Sequence, residues 1–493
     1  MPRTPAPSNG LAEVHSLLSV ISPIEQLPVE LLAEIFMHCV SHSDYPPPIN
    51  ESAEPPISLC CVCKSWKKVA SGLPGLWTAA FVNASTNHLD GRRNLPQLLD
   101  RWFSRSNQLP LSFKFTSGTN HETVMETFAA CITPFVHRFR HLDVNLLNFF
   151  CSIPTDLQLP APQPTQTQNT YPGLSWPTLQ FPQLESAIIR NDIDVHIDLE
   201  TPLFPFAPRL QRLRMDNLSF MGGTPLQLIL PWSQLTHLII VSPLESHLWL
   251  ELFSMCPNLQ HALFDVYEAF IPTPLTVERA TFHHLIDLTF AFSDPIKPSI
   301  LGHFDFPALQ TLRLQNDNFI SSDGGDDLFW TATTRSRLCQ QVSPLERLSL
   351  AGSWPFVCIF EAAIHVVELD LDHTGIFEAG LSSLLRLSDG YSLLPSLRVL
   401  SINIDGHSEL ETDGLADIIK SRRYVERGIE RLTLYPWHDS ESKKYAKRLT
   451  GQLQPLINDG FILELCETLP SRWYRRLDPT VNAWREGIID VEE

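Results

Sequence analysis

Glycine and basic residues are both scarce in this chain of 493 residues, and each shortage narrows what it can do. Only 21 glycines stand against 40 prolines, so phosphate-cradling glycine loops are rare and rigid punctuation is common. Lys and Arg number 36 against 55 Asp and Glu, a net charge of −19, which argues against a nucleic-acid partner because phosphate binding draws on a basic face. No run of 18 apolar residues occurs, so the sequence offers no membrane span. The start of the chain lacks a secretory pattern, since Glu13, His15 and Ser16 interrupt its apolar stretch. Ten cysteines are too few for a disulfide scaffold of this length, and they lie in apolar context, as at Cys131, Cys256, Cys358 and Cys466. These absences predict a reducing location, cytoplasmic or nuclear, with neither membrane nor nucleic acid as partner.

Catalytic signatures are missing as well. Gly222-Gly223-Thr224 lacks the remaining glycine and lysine of a phosphate loop, and neither G-x-S-x-G nor H-E-x-x-H occurs. Cys60, Cys61 and Cys63, with His38 and Cys39, do not have the Cys-x-x-Cys spacing of a zinc knuckle, and Asp323, Asp326 and Asp327 supply too few spaced oxygens for a calcium loop. The expectation is a protein that is not an enzyme, with no catalytic residue, no metal and no cofactor.

What is present is a folded composition, 43% hydrophobic and 18% charged, arranged in two rhythms. The first is helical. Leu27-Pro28 precedes a stripe of Leu31, Leu32, Ile35, Phe36 and Cys39 at helical spacing, and proline suits a helix start because its missing N–H would be unpaired there. A proline-rich loop over 41–56 follows, then an expected helix over Ile57–Ala70 closing at Ser71-Gly72. Leu95–Ser106 is expected as an amphipathic helix and Pro110–Thr116 as a strand.

The second rhythm is apolar-x-x-apolar-x-apolar. It begins at Phe139-Leu142-Val144 and recurs with first positions 184, 210, 235, 259, 285 and 309, spaced by 26, 25, 24, 26 and 24 residues. Further copies start at Leu345, Val366, Leu397 and Ile429, while the copy Leu259-Ala262-Phe264 is weaker. Such periods predict one short strand and one return segment per unit, with Leu244–Met255 as a helical return. Ser442–Ile457 and Phe461–Leu465 are expected as a closing helix and strand. Target-binding side chains would lie between the leucines, at positions such as Arg212, Arg214, Thr236, His237, Asp287, Arg313, Arg347, Asp370, Arg398 and Arg431.

The stretches LPVELLAEIF (27–36), CVCKSWKKVA (61–70) and LPGLW (73–77) together resemble the F-box motif. The wider chain resembles F-box proteins with degenerate leucine-rich repeats, of the kind abundant in mushroom-forming fungi; DRWFSRS, PLSFKF, HRFRHLDV and LQPLINDGFILEL support that likeness. The resemblance implies a short N-terminal F-box-like helical domain followed by an irregular leucine-rich repeat solenoid, an α/β fold. It implies a substrate-recognition subunit of an SCF-type ubiquitin ligase. A Skp-type adaptor would bind at Leu27, Pro28, Leu31, Ile35, Val62, Lys64 and Trp66 and bring a cullin and RING ligase, while a protein target would bind the repeats. The alternative is a non-catalytic repeat scaffold with no ligase attached. The expected division is a flexible segment 1–22, the helical domain 23–80, a linking region 81–135, the repeats 136–465 with a disordered insertion near 154–177, and a tail 466–493. The chain departs from the usual motif in its long loop 41–56.

Overall fold

The computed structural model describes residues 24, 27–41, 49, 54–83, 95–117, 122–146, 179–196, 204, 206–219, 230–245, 249, 252–267, 280–292, 304–316, 332–352, 354, 356–372, 393–403, 412–423, 428–435 and 440–466. The expected flexible start 1–22, the insertion 154–177, the acidic loop 323–327, most of the loop 41–56 and the tail beyond 466 lie outside these residues. The fold is α/β. Among the described residues fourteen strands form one parallel sheet, in the order β1 (Ala79–Asn83), β2 (Leu111–Ser117), β3 (Phe139–Leu146), β4 (Ser186–His196), β5 (Arg212–Ser219), β6 (His237–Glu245), β7 (His261–Tyr267), β9 (Asp287–Phe292), β11 (Thr311–Asn316), β12 (Arg347–Ala351), β13 (Glu368–Asp372), β14 (Val399–Asn403), β15 (Arg431–Tyr435) and β16 (Ile462–Leu465). Such an arrangement, in which almost every strand pairs with its neighbours in chain order, is compatible with a solenoid.

The apolar rhythm sets the register. Its second position forms an unbroken row from Leu142 through Ala187, Leu213, Leu238, Ala262, Leu288 and Leu312 to Leu432, and its third a parallel row from Val144 to Leu434. Side chains two apart share a face of a strand, so both rows point into one layer of buried residues. The first position ends a turn before each strand. Leu184, Leu210, Leu259 and Leu309 donate their N–H to the carbonyls of Phe181, Ala207, Cys256 and Phe306, at 3.1 to 3.3 Å. Proline is the second residue of each of these turns, where its fixed φ is already the required one. One carbonyl then starts each new pairing: Glu185 accepts from both Gln211 and Arg212, Gln211 from Thr236 and His237, and Thr236 from Gln260 and His261.

The sheet starts earlier than the rhythm. β1 pairs with β2 (Leu111–Ser117), and β2 with β3 (Phe139–Leu146), adding the pairs Ala80 with Phe113 and Val82 with Phe115 to the two buried rows. The weak copy at Leu259 is a full strand, β7 (His261–Tyr267). The helical return expected from Leu244 begins later, because β6 (His237–Glu245) continues through Leu244 and Glu245; helical residues occur at Trp249 and 252–254. Other returns are extended, with β10 (Phe304–Asp305) pairing in parallel with β8 (Ala280–Thr281) in a separate small sheet. The chain closes with a helix over Ser440–Asn458 and β16, against the expected 442–457 and 461–465.

At the other end, α1 (Val29–Ser41), α2 (Ile57–Val62) and α3 (Lys64–Ser71) lead into a 3-10 turn at Pro74–Trp77 and directly into β1. The expected single helix over 57–70 is two. Cys63 adopts extended backbone, φ −158° and ψ 172°, and its Sγ accepts the N–H of Trp66 at 3.5 Å, so it ends α2 and caps α3. The next helix, α4 (Leu95–Phe103), stops short of 106 in a 3-10 turn over Ser104–Ser106, and α5 (Glu122–Ile132) lies between β2 and β3. Indole N–H groups tie the 3-10 turn to α3 and α4 to the first strand. Trp77 donates to the Ala70 carbonyl at 2.8 Å, Trp102 to that of Ala79 at 3.0 Å, and the two rings meet edge to face at 4.9 Å.

Candidate docking surfaces

The helix α1 carries apolar side chains on two sides. Its start is set by Pro28, whose carbonyl accepts the Leu32 N–H at 3.1 Å, with Glu30 in the first turn and His38 in the last, each favourable to the helix dipole. Leu32 and Phe36, one turn apart, are 5% and 0% exposed. Leu31 and Ile35, also one turn apart, are 47% and 41% exposed, and Val29 is 54% exposed. The split follows from packing: Phe36 meets Trp66 of α3 with ring centroids 4.9 Å apart, which turns its own side of α1 inward and the neighbouring stripe outward. Val62, at the end of α2, is 59% exposed.

Of the seven residues expected at a docking site, Pro28, Leu31, Ile35, Val62 and Lys64 are thus exposed, and Leu27 and Trp66 are half-buried. Trp66 touches the core side of α1 and supports it. Lys67 and Lys68 are exposed beside Lys64, and α3 bears no acidic residue, so a local basic strip sits on a chain of net charge −19. The Arg105 guanidinium lies 4.2 Å above the Trp77 ring. Apolar side chains beside lysines suit a partner that offers an apolar groove with an acidic rim.

The second surface is the face of the sheet opposite the buried rows. Strand pairing places Arg212, His237, His261, Asp287, Thr311, Arg347 and Glu368 in one row, and Arg214, Ile239, Leu263, Thr289, Arg313, Ser349 and Asp370 in the next. Thr236 and Arg398 instead precede their strands, and their carbonyls start the next pairing. Toward β1 the charges join: Asp143 meets Arg190 at 3.1 Å and Lys114 at 3.8 Å, and Asp216 meets Arg190 at 3.3 Å and Arg214 at 2.8 Å. Burial pushes the Asp143 carboxyl up, against the opposing pull of Arg190, Lys114 and Arg214, and burial pushes the Lys114 ammonium down. The His237 and His261 rings stack at 4.4 Å. Burial first, then the fields of His261 and Arg212, holds His237 down at about 3; His141 is held at about 3 by burial, with Arg140 and Arg212 adding to it. Both imidazoles are neutral at pH 7.

No family model, curated protein or solved structure matches this chain.

Asp143, Arg190, Asp216 and His261 belong to the second surface yet escaped the sequence reading. Asp143 and His261 share strand registers with Arg214 and His237, so extending those registers through every unit would have found them; Arg190 and Asp216 pair with each other in a register two residues farther along the strands, which holds none of the named positions. Among the described residues no three metal-ligating side chains come together, and no helix is long and apolar enough to cross a membrane.

Proposed function

We propose that the chain is the substrate-recognition subunit of an SCF-type ubiquitin ligase, its N-terminal helices an F-box that binds a Skp-type adaptor and its strands leucine-rich repeats that bind a protein target. The observation that carries this reading is the second apolar stripe of α1. A helix that commits Leu32 and Phe36 to the core and still holds Leu31 and Ile35 in water supports a partner for them, and these are positions that the F-box resemblance assigns to the adaptor. The mechanism is proximity: adaptor at one end, target on the sheet face, and the target's lysines held near a charged conjugating enzyme.

The scaffold reading draws on a different observation, the continuity of Leu32, Phe36 and Trp77 with the core of the sheet, which lets the helices serve as a cover for its first edge. One experiment separates the two. Full-length protein and a Leu31→Glu/Ile35→Glu variant are tested for binding to an immobilised Skp-type adaptor, with circular dichroism as the folding control. Both positions are exposed, so the variant should fold. Adaptor binding by the wild type, lost in the folded variant, supports the ligase reading; absence of binding by folded wild type overturns it and leaves the scaffold.

A further inference from the structure

Two cysteines on consecutive returns touch. Cys339 lies on α6 (Ala332–Val342) and Cys358 on α7 (Phe356–Ala362), the helices that precede β12 (Arg347–Ala351) and β13 (Glu368–Asp372). Their positions are set by the core. Leu338 and Val342 of α6 are buried, as are Ile359 and Phe360 of α7, so each sulfur stands beside an anchored side chain. The Cys339 thiol donates to the Cys358 carbonyl at 3.3 Å, which brings the two residues into direct contact.

Both residues are partly exposed. Cys131 and Cys256 differ on this point: they are buried, and burial pushes their thiols up to about 12, which leaves them inert. The Cys358 thiol is pushed up to about 11, by burial first and then by Cys339. Burial thus disfavours the Cys358 thiolate, and the first attack is assigned to Cys339.

We propose that Cys339 and Cys358 are an oxidation site that forms a reversible intramolecular disulfide when the protein meets a hydroperoxide. In the first step the Cys339 thiolate attacks a peroxide oxygen; the O–O bond breaks, a sulfenic acid forms and the departing hydroxide takes a proton to become water. In the second, the Cys358 sulfur attacks the Cys339 sulfenyl sulfur, the S–S bond forms, and the hydroxyl leaves with the Cys358 proton as a second water. Two thiols lose two electrons and one hydrogen peroxide becomes two waters. The bridge encloses all of β12, so oxidation ties two returns around one strand and fixes the stretch of sheet face that carries Arg347 and Ser349. A dithiol reductant reverses it.

The test uses the full chain, treated with graded hydrogen peroxide, blocked with N-ethylmaleimide, digested without reduction and read by mass spectrometry. The expected product is a peptide pair joined through Cys339 and Cys358 that dithiothreitol separates. In a Cys358→Ser variant that pair should vanish and Cys339 should become reactive toward dimedone, which reports the stranded sulfenic acid. The wild-type map alone decides if the variant fails to fold. Maleimide on both Cys339 and Cys358, at peroxide doses that already oxidise the exposed Cys39 and Cys61, overturns the proposal, as does a bridge from either residue to a different cysteine.

Discussion

Lowering the pH from 7 to 5 should weaken the folded sheet through His141 and His237, by about 2 kcal/mol for each. Both imidazoles sit at about 3 in the folded protein against an ordinary 6.5. A depressed folded value means that the stabilising contribution is complete above 6.5 and is lost as pH falls toward 3, because the unfolded chain takes up protons that the folded chain refuses. At pH 5 the unfolded imidazole is about 1.5 units below its midpoint while the folded one is still neutral, which at about 1.4 kcal/mol per unit is about 2 kcal/mol for each histidine. The carboxylates of this acidic chain titrate over the same range, so the informative quantity is a double difference. Urea unfolding of the wild type, His141→Gln and His237→Gln at pH 7 and pH 5 gives it: each variant should lose about 2 kcal/mol less than the wild type over that interval. Equal losses in all three proteins would refute the reasoning, and so would a His141 imidazole resonance titrating near pH 6.5 in the folded state. His261, which burial also pushes down, acts in the same direction.

Within α1, Phe36→Ala should cost about 3 to 5 kcal/mol and Leu31→Ala no more than about 0.5, a contrast between adjacent stripes readable by thermal melting. Gly428→Ala would drive a Cβ into the backbone carbonyls of Arg422 and Arg423, at the end of the helix Thr412–Arg423, and should cost about 1 to 3 kcal/mol in urea unfolding. Buried Arg422 donates to the carbonyls of Leu393 at 2.6 Å and Leu394 at 3.0 Å, so Arg422→Met should cost about 1 to 3 kcal/mol and speed amide exchange in the turn before Val399–Asn403.

The sheet was legible because a parallel stack makes every unit repeat its neighbour's pattern. Even the copy in which Ala262 replaces the central leucine falls into register between Leu238 and Leu288. β1 was hard to read because Trp77, Ala80 and Val82 keep the rhythm's spacing with none of its leucines, and the strand is placed by its pairing with β2 and by the bond from Trp102. Helical spacing identified the apolar positions of α1 but treated them as one face. Which half is buried depends on Trp66, a residue thirty positions away, and no local period encodes that choice. The break at Cys63 was hidden for a related reason: a thiol serving as a helix cap leaves no sequence mark that separates it from a thiol inside a helix. The meeting of Cys339 with Cys358 follows from the stacking of two returns whose lengths differ, so residue spacing gives no sign of it.

The near-sequential order of the fourteen strands makes the sheet a ruler. Neighbouring strands stand about 4.8 Å apart, so the thirteen steps from β1 to β16 set a separation of about 60 Å along the sheet. Under the ligase reading, a target held on the last strands and one held on the first would be offered to the conjugating enzyme from graduated distances, one step per unit. Gain or loss of a single repeat would then retune reach without altering a residue that touches either partner.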